Sequence, residues 1–309
     1  MIRSLRPPCQ IAFAGLSSFR LAHLSDPHLV PPVYRNGWRD LASKRLLSRI
    51  AWRRKRHHHD PQVLAALIAD VQAQAPDHIA ITGDLTNFST PEEFAAARAW
   101  LESLGPAEAL TVSPGNHDSL TGRAGPERFA PWRPWLGDDP AEPFPKVRIR
   151  GPVALVNLCS AVPTAPHLAQ GRLGEAQIAR LGPLLQELKA AGLYRLVMLH
   201  HPITGGVVSA RKSLVDAEAL RETLRGFGAE LVIHGHAHEA PTTVTAGPHG
   251  AVPVLGVPSA SAAPGGHGVP ARWHGIEIER RGTGFATRVV ARGFSPDGVL
   301  QELGRYTLA

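Results

Sequence analysis

Of 309 residues, 43% are hydrophobic, 19% charged and 6% aromatic, a balance that excludes a disordered or fibrous chain and leaves enough apolar side chain for a real core. The formal charge of +7 suggests nucleic acid or membrane until it is located: residues 35 to 56 carry nine Lys or Arg against Asp40 alone, a local +8, so the rest of the chain stands at −1. Two cysteines, Cys9 and Cys159, exclude a disulfide framework and fit a reducing cytoplasm, and no run reaches the roughly 18 apolar residues of a membrane-spanning helix.

Arg3 and Arg6 precede the apolar stretch Ile11 to Leu16, which is shorter than the hydrophobic region of a signal peptide, so cleavage is not expected. Phe19 to Leu24 reads as a first strand, closed by Ser25-Asp26-Pro27-His28. Asp60 and Pro61 form a helix start, and Val63, Leu64, Leu67, Ile68 and Val71 follow at helical spacing. Asp77 to Thr82 is a second strand, closed by Gly83-Asp84. Thr90-Pro91-Glu92-Glu93 is a capping box that opens a helix to about Ser103, and Leu110 to Ser113 is a third strand closed by Pro114-Gly115-Asn116-His117-Asp118.

Residues 121 to 150 hold six prolines together with Trp132 and Trp135, and read as an ordered irregular loop over the core. Val153 to Leu158 is a strand, Glu175 to Ala191 an amphipathic helix, and Arg195 to Leu199 a strand closed by His200-His201-Pro202. Ala217 to Phe227 is a helix, and Glu230 to Ile233 a strand closed by His234-Gly235-His236-Ala237-His238. The remainder, with Val252 to Val257, Gly275 to Arg280 and Phe285 to Val290, reads as antiparallel strands. The alternation of strand and helix is that of parallel βαβ units in an α/β protein, here expected as one domain over 1–309.

Five strands end in Asp, Asn or His, and in open α/β sheets functional groups gather at the carboxyl ends of strands. Each cluster alone is open to a plain reading: Asp26-Pro27 and Gly83-Asp84 can be turns, and His236 and His238 can be two solvated imidazoles, although residues two apart on a strand share a face and can share an ion. Five such clusters in order point instead to a metal site.

This ordered set resembles the calcineurin-like metallophosphoesterases, whose D-x-H, G-D, G-N-H-D, His and G-x-H pattern is matched here over roughly residues 19 to 240. The resemblance implies a four-layer αββα sandwich of mixed sheets and a two-metal centre. Asp26, His28 and His238 would hold one ion, Asn116, His200 and His236 the other, and Asp84 would bridge them. His200 and His201 face opposite ways on an extended segment, and the family's ligand two positions before proline selects His200. His117 would bind no metal and would face the phosphoryl group as acid, while Asp118 either orients His117 or caps the following segment. Two cations about 3.5 to 4 Å apart can clamp a phosphoryl oxygen and supply a bridging hydroxide near neutral pH, and a mixed oxygen and imidazole shell suits manganese, iron or zinc.

The insert at 35–56 places Trp38, Leu41, Leu47, Ile50 and Ala51 on one side of a helix with arginines elsewhere, and Trp52 adds an interfacial ring. Arg45, Arg49 and Arg53 are the expected contacts to substrate or to an anionic membrane, the plain alternative being a solvated surface helix that confers solubility, with His57 to His59 solvated beside it. The expectation is therefore a cytoplasmic phosphoesterase, peripheral on the inner face of the membrane if the insert docks there. It would cleave a phosphodiester or phosphoanhydride in a phosphate-ester small molecule or a lipid-linked nucleotide. A 3',5'-cyclic nucleotide phosphodiesterase and a UDP-diacylglucosamine-type pyrophosphatase are the branches in view, and nucleic acid is not the expected partner. A different class, a binding module with a structural metal site, is disfavoured because a structural role needs neither Asn116 nor His117.

Overall fold

The computed structural model describes residues 18–32, 44–55, 58–122, 125–266 and 268–308. The reading of residues 1–17 and the start of the basic insert, with Trp38 and Leu41, lie outside them. Two six-stranded sheets face each other. The first runs β12-β11-β10-β1-β2-β3, built from β1 (Ser18–Leu24), β2 (His78–Ile81), β3 (Leu110–Val112), β10 (Arg272–Arg281), β11 (Gly284–Phe294) and β12 (Leu300–Leu308). The second runs β4-β5-β6-β7-β9-β8, from β4 (Lys146–Arg150), β5 (Val153–Asn157), β6 (Tyr194–Met198), β7 (Leu231–His234), β8 (Thr242–Gly247) and β9 (Gly250–Gly256). Strands β1, β2 and β3 are parallel, as are β5, β6, β7 and β9, while β10, β11 and β12 in the first sheet and β4 and β8 in the second pair antiparallel with their neighbours.

Alternation along the strands builds the layers. Phe19 and Leu21 of β1 join Val153 and Leu155 of β5, Leu196 and Met198 of β6 and Ile276 of β10 in a core between the sheets. Ala22 and Leu24 point the other way, against Val63, Leu64, Leu67 and Val71 of α2 (Pro61–Ala73) and Phe94, Ala97 and Leu101 of α3 (Pro91–Leu104). Ala154, Val156, Val197 and Val232 face Leu181, Leu185 and Leu188 of α5 (Glu175–Ala190) and Leu220 and Leu224 of α6 (Ala217–Phe227). Strands buried on both faces are why these segments read as unbroken apolar runs, and the result is the expected αββα order. Asp60 caps α2 by accepting from Gln62 N at 2.8 Å, and Thr90 and Glu93 form the capping box of α3.

Three expectations are corrected. The segment 121–150 holds a 3-10 helix (Pro126–Trp132), the short helix α4 (Arg133–Leu136) and β4, whose basic residues disguise an edge strand. In the tail, β9 pairs in parallel with β7 and only its other neighbour, β8, is antiparallel. Strands β8 and β12 were not expected; each lies at a sheet edge, where one unpaired side tolerates a polar sequence. Of the insert, α1 (Lys44–Lys55) is a helix.

Candidate metal centre

The carboxyl ends of β1, β2, β3, β6 and β7 converge where the two sheets meet. Asp26 N donates to Gly83 O at 3.0 Å and His28 N to Asp84 O at 3.1 Å, so the loops after β1 and β2 run as one unit. From the second sheet, His236 N donates to Asp26 Oδ2 (3.0 Å), and His200 Nδ1–H donates to Thr82 O (2.6 Å). Asn157, at the end of β5, adds a buried link by donating to Val112 O and Leu136 O. Gly235 is required by this closeness, since a Cβ there would collide with Ser25 Oγ and Asp26 Oδ2. Gly83 has φ +98°, and a Cβ on it would lie 2.7 Å from His200 Nδ1.

Two groups of donor atoms result, Asp26 with His28 and His238, and Asp84 with His200 and His236; in each, the ligand atoms lie within 4.8 Å of one another. His28 Nε2 is 3.9 Å from both Asp26 Oδ1 and Asp84 Oδ2, which places Asp84 between the groups. Asn116 Oδ1 stands 3.1 Å from His200 Nε2, and His236 Nδ1 3.2 Å from the same atom. Backbone acceptors assign the imidazole tautomers. His200 is held by Nδ1–H on Thr82 O and His236 by Nε2–H on Lys212 O (3.0 Å), which leaves His200 Nε2 and His236 Nδ1 turned toward each other and toward Asn116 or Asp84. His201 faces away: its ring nitrogens meet Ser160 Oγ at 2.8 Å and Ala169 O at 3.2 Å.

Burial alone would raise the carboxyls of Asp26 and Asp84, yet His200 leads the imidazoles that hold both below the usual carboxylate range. Conversely, burial would lower His200, but Asp84 and Asp26 push it up to about 9. A field that retains a proton so strongly is one that favours a cation at this spot, and the donor set of carboxylates, amide oxygen and imidazoles without thiolate fits divalent ions.

His117 N donates to Asp84 Oδ1 at 2.7 Å and its Nδ1–H to Asn87 O at 3.0 Å, so Nε2 is the nitrogen left for chemistry. Asp118 does not meet that ring. Its carboxylate accepts from Asp84 N, Gly115 N, Thr86 N and Thr86 Oγ1 at 2.8–3.0 Å, so its expected place among the catalytic groups becomes a positioning one, because every bond it makes holds a loop. Of the arginines of the insert, half-buried Arg45 donates to Phe88 O and Ser89 O, both at 2.9 Å, and half-buried Arg49 lies over the Phe88 ring at 5.8 Å, so both make contacts within the protein. The Arg53 side chain lies outside the described residues.

A cavity of about 350 Å³ opens on the ligands and His117, lined also by Ser48, Trp52, Phe88 and Lys212. His59, expected in solvent, belongs to it: its ring packs 4.4 Å from that of His28 and its Nδ1 meets Ser261 Oγ at 2.9 Å. Its only signal in the sequence is its place next to the cap of the helix that follows the first ligand loop.

A four-layer α/β sandwich with two carboxylate–imidazole groups at the strand ends defines a metal-dependent phosphoester hydrolase. Residues 19–240 match the calcineurin-like phosphoesterases, and the chain belongs to that family. A probable cyclic nucleotide phosphodiesterase of Synechococcus sp. is 30% identical over 223 residues, 71% of this chain and 78% of that protein. Another from Rhodococcus erythropolis is 27% identical over 232 residues, covering 74% and 67%. The crystal structure of a dimetal phosphatase from Danio rerio shares the fold, with a TM-score of 0.55 over 94% of this chain and 98% of that one at 13% identity. Among the described residues, no helix is long and apolar enough to cross a membrane.

Proposed function

We propose that the protein hydrolyses a phosphodiester bond of small nucleotides, 3',5'-cyclic nucleotides foremost, at a two-metal centre. The observation that carries this is the meeting of both donor groups and His117 on one cavity of about 350 Å³, the small end of the roughly 300–1,000 Å³ of ligand sites. The names of the Synechococcus and Rhodococcus relatives support the cyclic nucleotide, and the inward use of Arg45 and Lys44 leaves the lipid-linked substrate without support.

In this reading Asp26, His28 and His238 hold one cation, Asn116, His200 and His236 hold the other, and Asp84 lies between them. Manganese, iron or zinc are the ions such a shell favours. When bound, the pair supplies charge for the phosphoryl oxygens and lowers the pKa of water. The Asp84 carboxylate fixes the His117 backbone, Asn87 O fixes its ring, and Nε2–H delivers a proton to the leaving oxygen as the P–O bond breaks. Lys212, exposed on the same rim, adds a cation beside the anionic substrate.

The test is turnover of 3',5'-cyclic AMP by purified protein with added manganese, alongside bis(p-nitrophenyl) phosphate and metal analysis. Hydrolysis of both, abolished by a chelator and restored by manganese, is expected. Cleavage of the aryl diester without the cyclic nucleotide would overturn the nucleotide assignment.

A further inference from the structure

We infer that α1 is a fixed wall of the cavity and that its Trp52 is a specificity-determining residue, the surface on which the planar base of a nucleoside phosphate lies; the inference rests on the nucleotide reading above. Helical spacing gives α1 two stripes. Arg45, Arg49 and Trp52, at i, i+4 and i+7, descend on one residue: Arg45 binds the Phe88 carbonyl, Arg49 covers the Phe88 ring, and the Trp52 indole meets that ring edge-on, 6.1 Å between centroids at 77°. On the other stripe, which meets the first at Trp52, Lys44 Nζ donates to Thr164 Oγ1 and Leu168 O, both at 2.7 Å; Ser48 and Trp52 line the cavity.

The helix is thus tied on one side to the loop after β2, which carries Asp84 and the Asn87 carbonyl that holds His117, and on the other to the segment after β5. Such a tie keeps Trp52 at a set distance from the phosphoryl site. Ala262, Ala263, Gly266 and Gly268 line the same cavity, where short side chains leave room for something flat. Every base has an aromatic face, and a single aromatic platform with small neighbours recognises that face without reading the identity of the base. Among the described lining residues, only His and Lys212 can carry positive charge.

The experiment measures binding by calorimetry on the manganese-loaded protein with two probes, adenosine 5'-monophosphate and ribose 5-phosphate, which differ by the base alone. Wild type is expected to bind the nucleotide at least tenfold more tightly. Trp52→Ala should remove that ratio and leave ribose 5-phosphate within twofold, with metal content and circular dichroism unchanged. Trp52→Leu, which keeps apolar bulk against Phe88, should lose the ratio as well, and Trp52→Phe should retain most of it. A ratio preserved in both the Ala and Leu variants, or absent in wild type, overturns the inference. Loss of the ratio in a protein that leaves cyclic AMP intact would sustain the base contact while removing the reaction; an unchanged ratio in a protein that cleaves cyclic AMP would do the reverse.

Discussion

Asp26, His28, Asp84, His236 and His238 all hold positive φ, between 42° and 64°, in the left-handed region that costs a non-glycine residue about 1–2 kcal/mol. Strain of this kind persists only where surrounding bonds over-determine it; at Asp84 the determination comes from Asp118, which accepts from Asp84 N, Gly115 N and Thr86 N, and at Asp26 and His28 from their N–H bonds to Gly83 O and Asp84 O. In Asp118→Asn one acceptor becomes an amide that faces backbone N–H donors. That variant should retain manganese about 10–100-fold more weakly, as for other groups that orient ligands, and metal content after dialysis is the check. His117 stands at the opposite extreme: in the proposed reading its ring faces substrate, and the load it bears in the fold runs through its backbone and a ring bond to Asn87 O, of which an alanine loses only the ring bond. His117→Ala should therefore lower kcat by about 10²–10⁴ with metal content intact, and an unchanged kcat would remove it as the acid.

At the scale of elements, the segment 121–150 is held down by Arg148 of β4, almost fully buried, whose guanidinium donates to Ala107 O, Pro134 O and Gly137 O. Arg148→Met fills the space but orphans three carbonyls, and should destabilise the protein by about 3 kcal/mol or more in urea unfolding, since each unsatisfied group costs about 1–3 kcal/mol. The same arginine explains why β4 was hidden: Lys146, Arg148 and Arg150 alternate with Val147 and Ile149, and their charges suggest solvent, while two of the three are buried against backbone oxygens. The helix starts at Asp60-Pro61 and Thr90-Pro91 were legible because a cap is a bond between near neighbours in the chain. So were the candidate donor groups that the structure brings together, since Asp, Asn and His at five strand ends carry their chemistry in their type. What depends on two sheets meeting was not legible: alternation alone left His201 open against His200, and nothing local announced that His59 and Trp52 would line the cavity or that Arg45 would turn inward.

The molecule as a whole buries more histidine than its metal centre uses, and this sets its tolerance of acid. His78 in β2 and His274 in β10 are buried away from the ligands. Burial, with the charges of Arg148 and Arg150, brings His78 down to about 3, and burial with Arg272 brings His274 down to about 3. The His78 ring meets Thr111 Oγ1 at 2.8 Å, and among the described residues its Nδ1 has no partner, so a second proton would find no acceptor in return for lost water. A depressed histidine is neutral when folded and takes a proton when unfolded once the pH drops below about 6.5, so the unfolded state binds more protons and stability falls as pH falls toward 3. Between pH 7 and pH 5 one such residue withdraws about 2 kcal/mol. His78→Gln retains a side-chain hydrogen-bonding group opposite Thr111 and does not titrate. The loss of unfolding free energy between those two pH values should therefore shrink by about 2 kcal/mol relative to wild type, the remainder arising from His274 and the groups near the centre. Urea midpoints of the two proteins at pH 5 and pH 7 provide the measurement, and an equal pH dependence in both would mean that His78 is not the neutral, solvent-excluded group its surroundings make it.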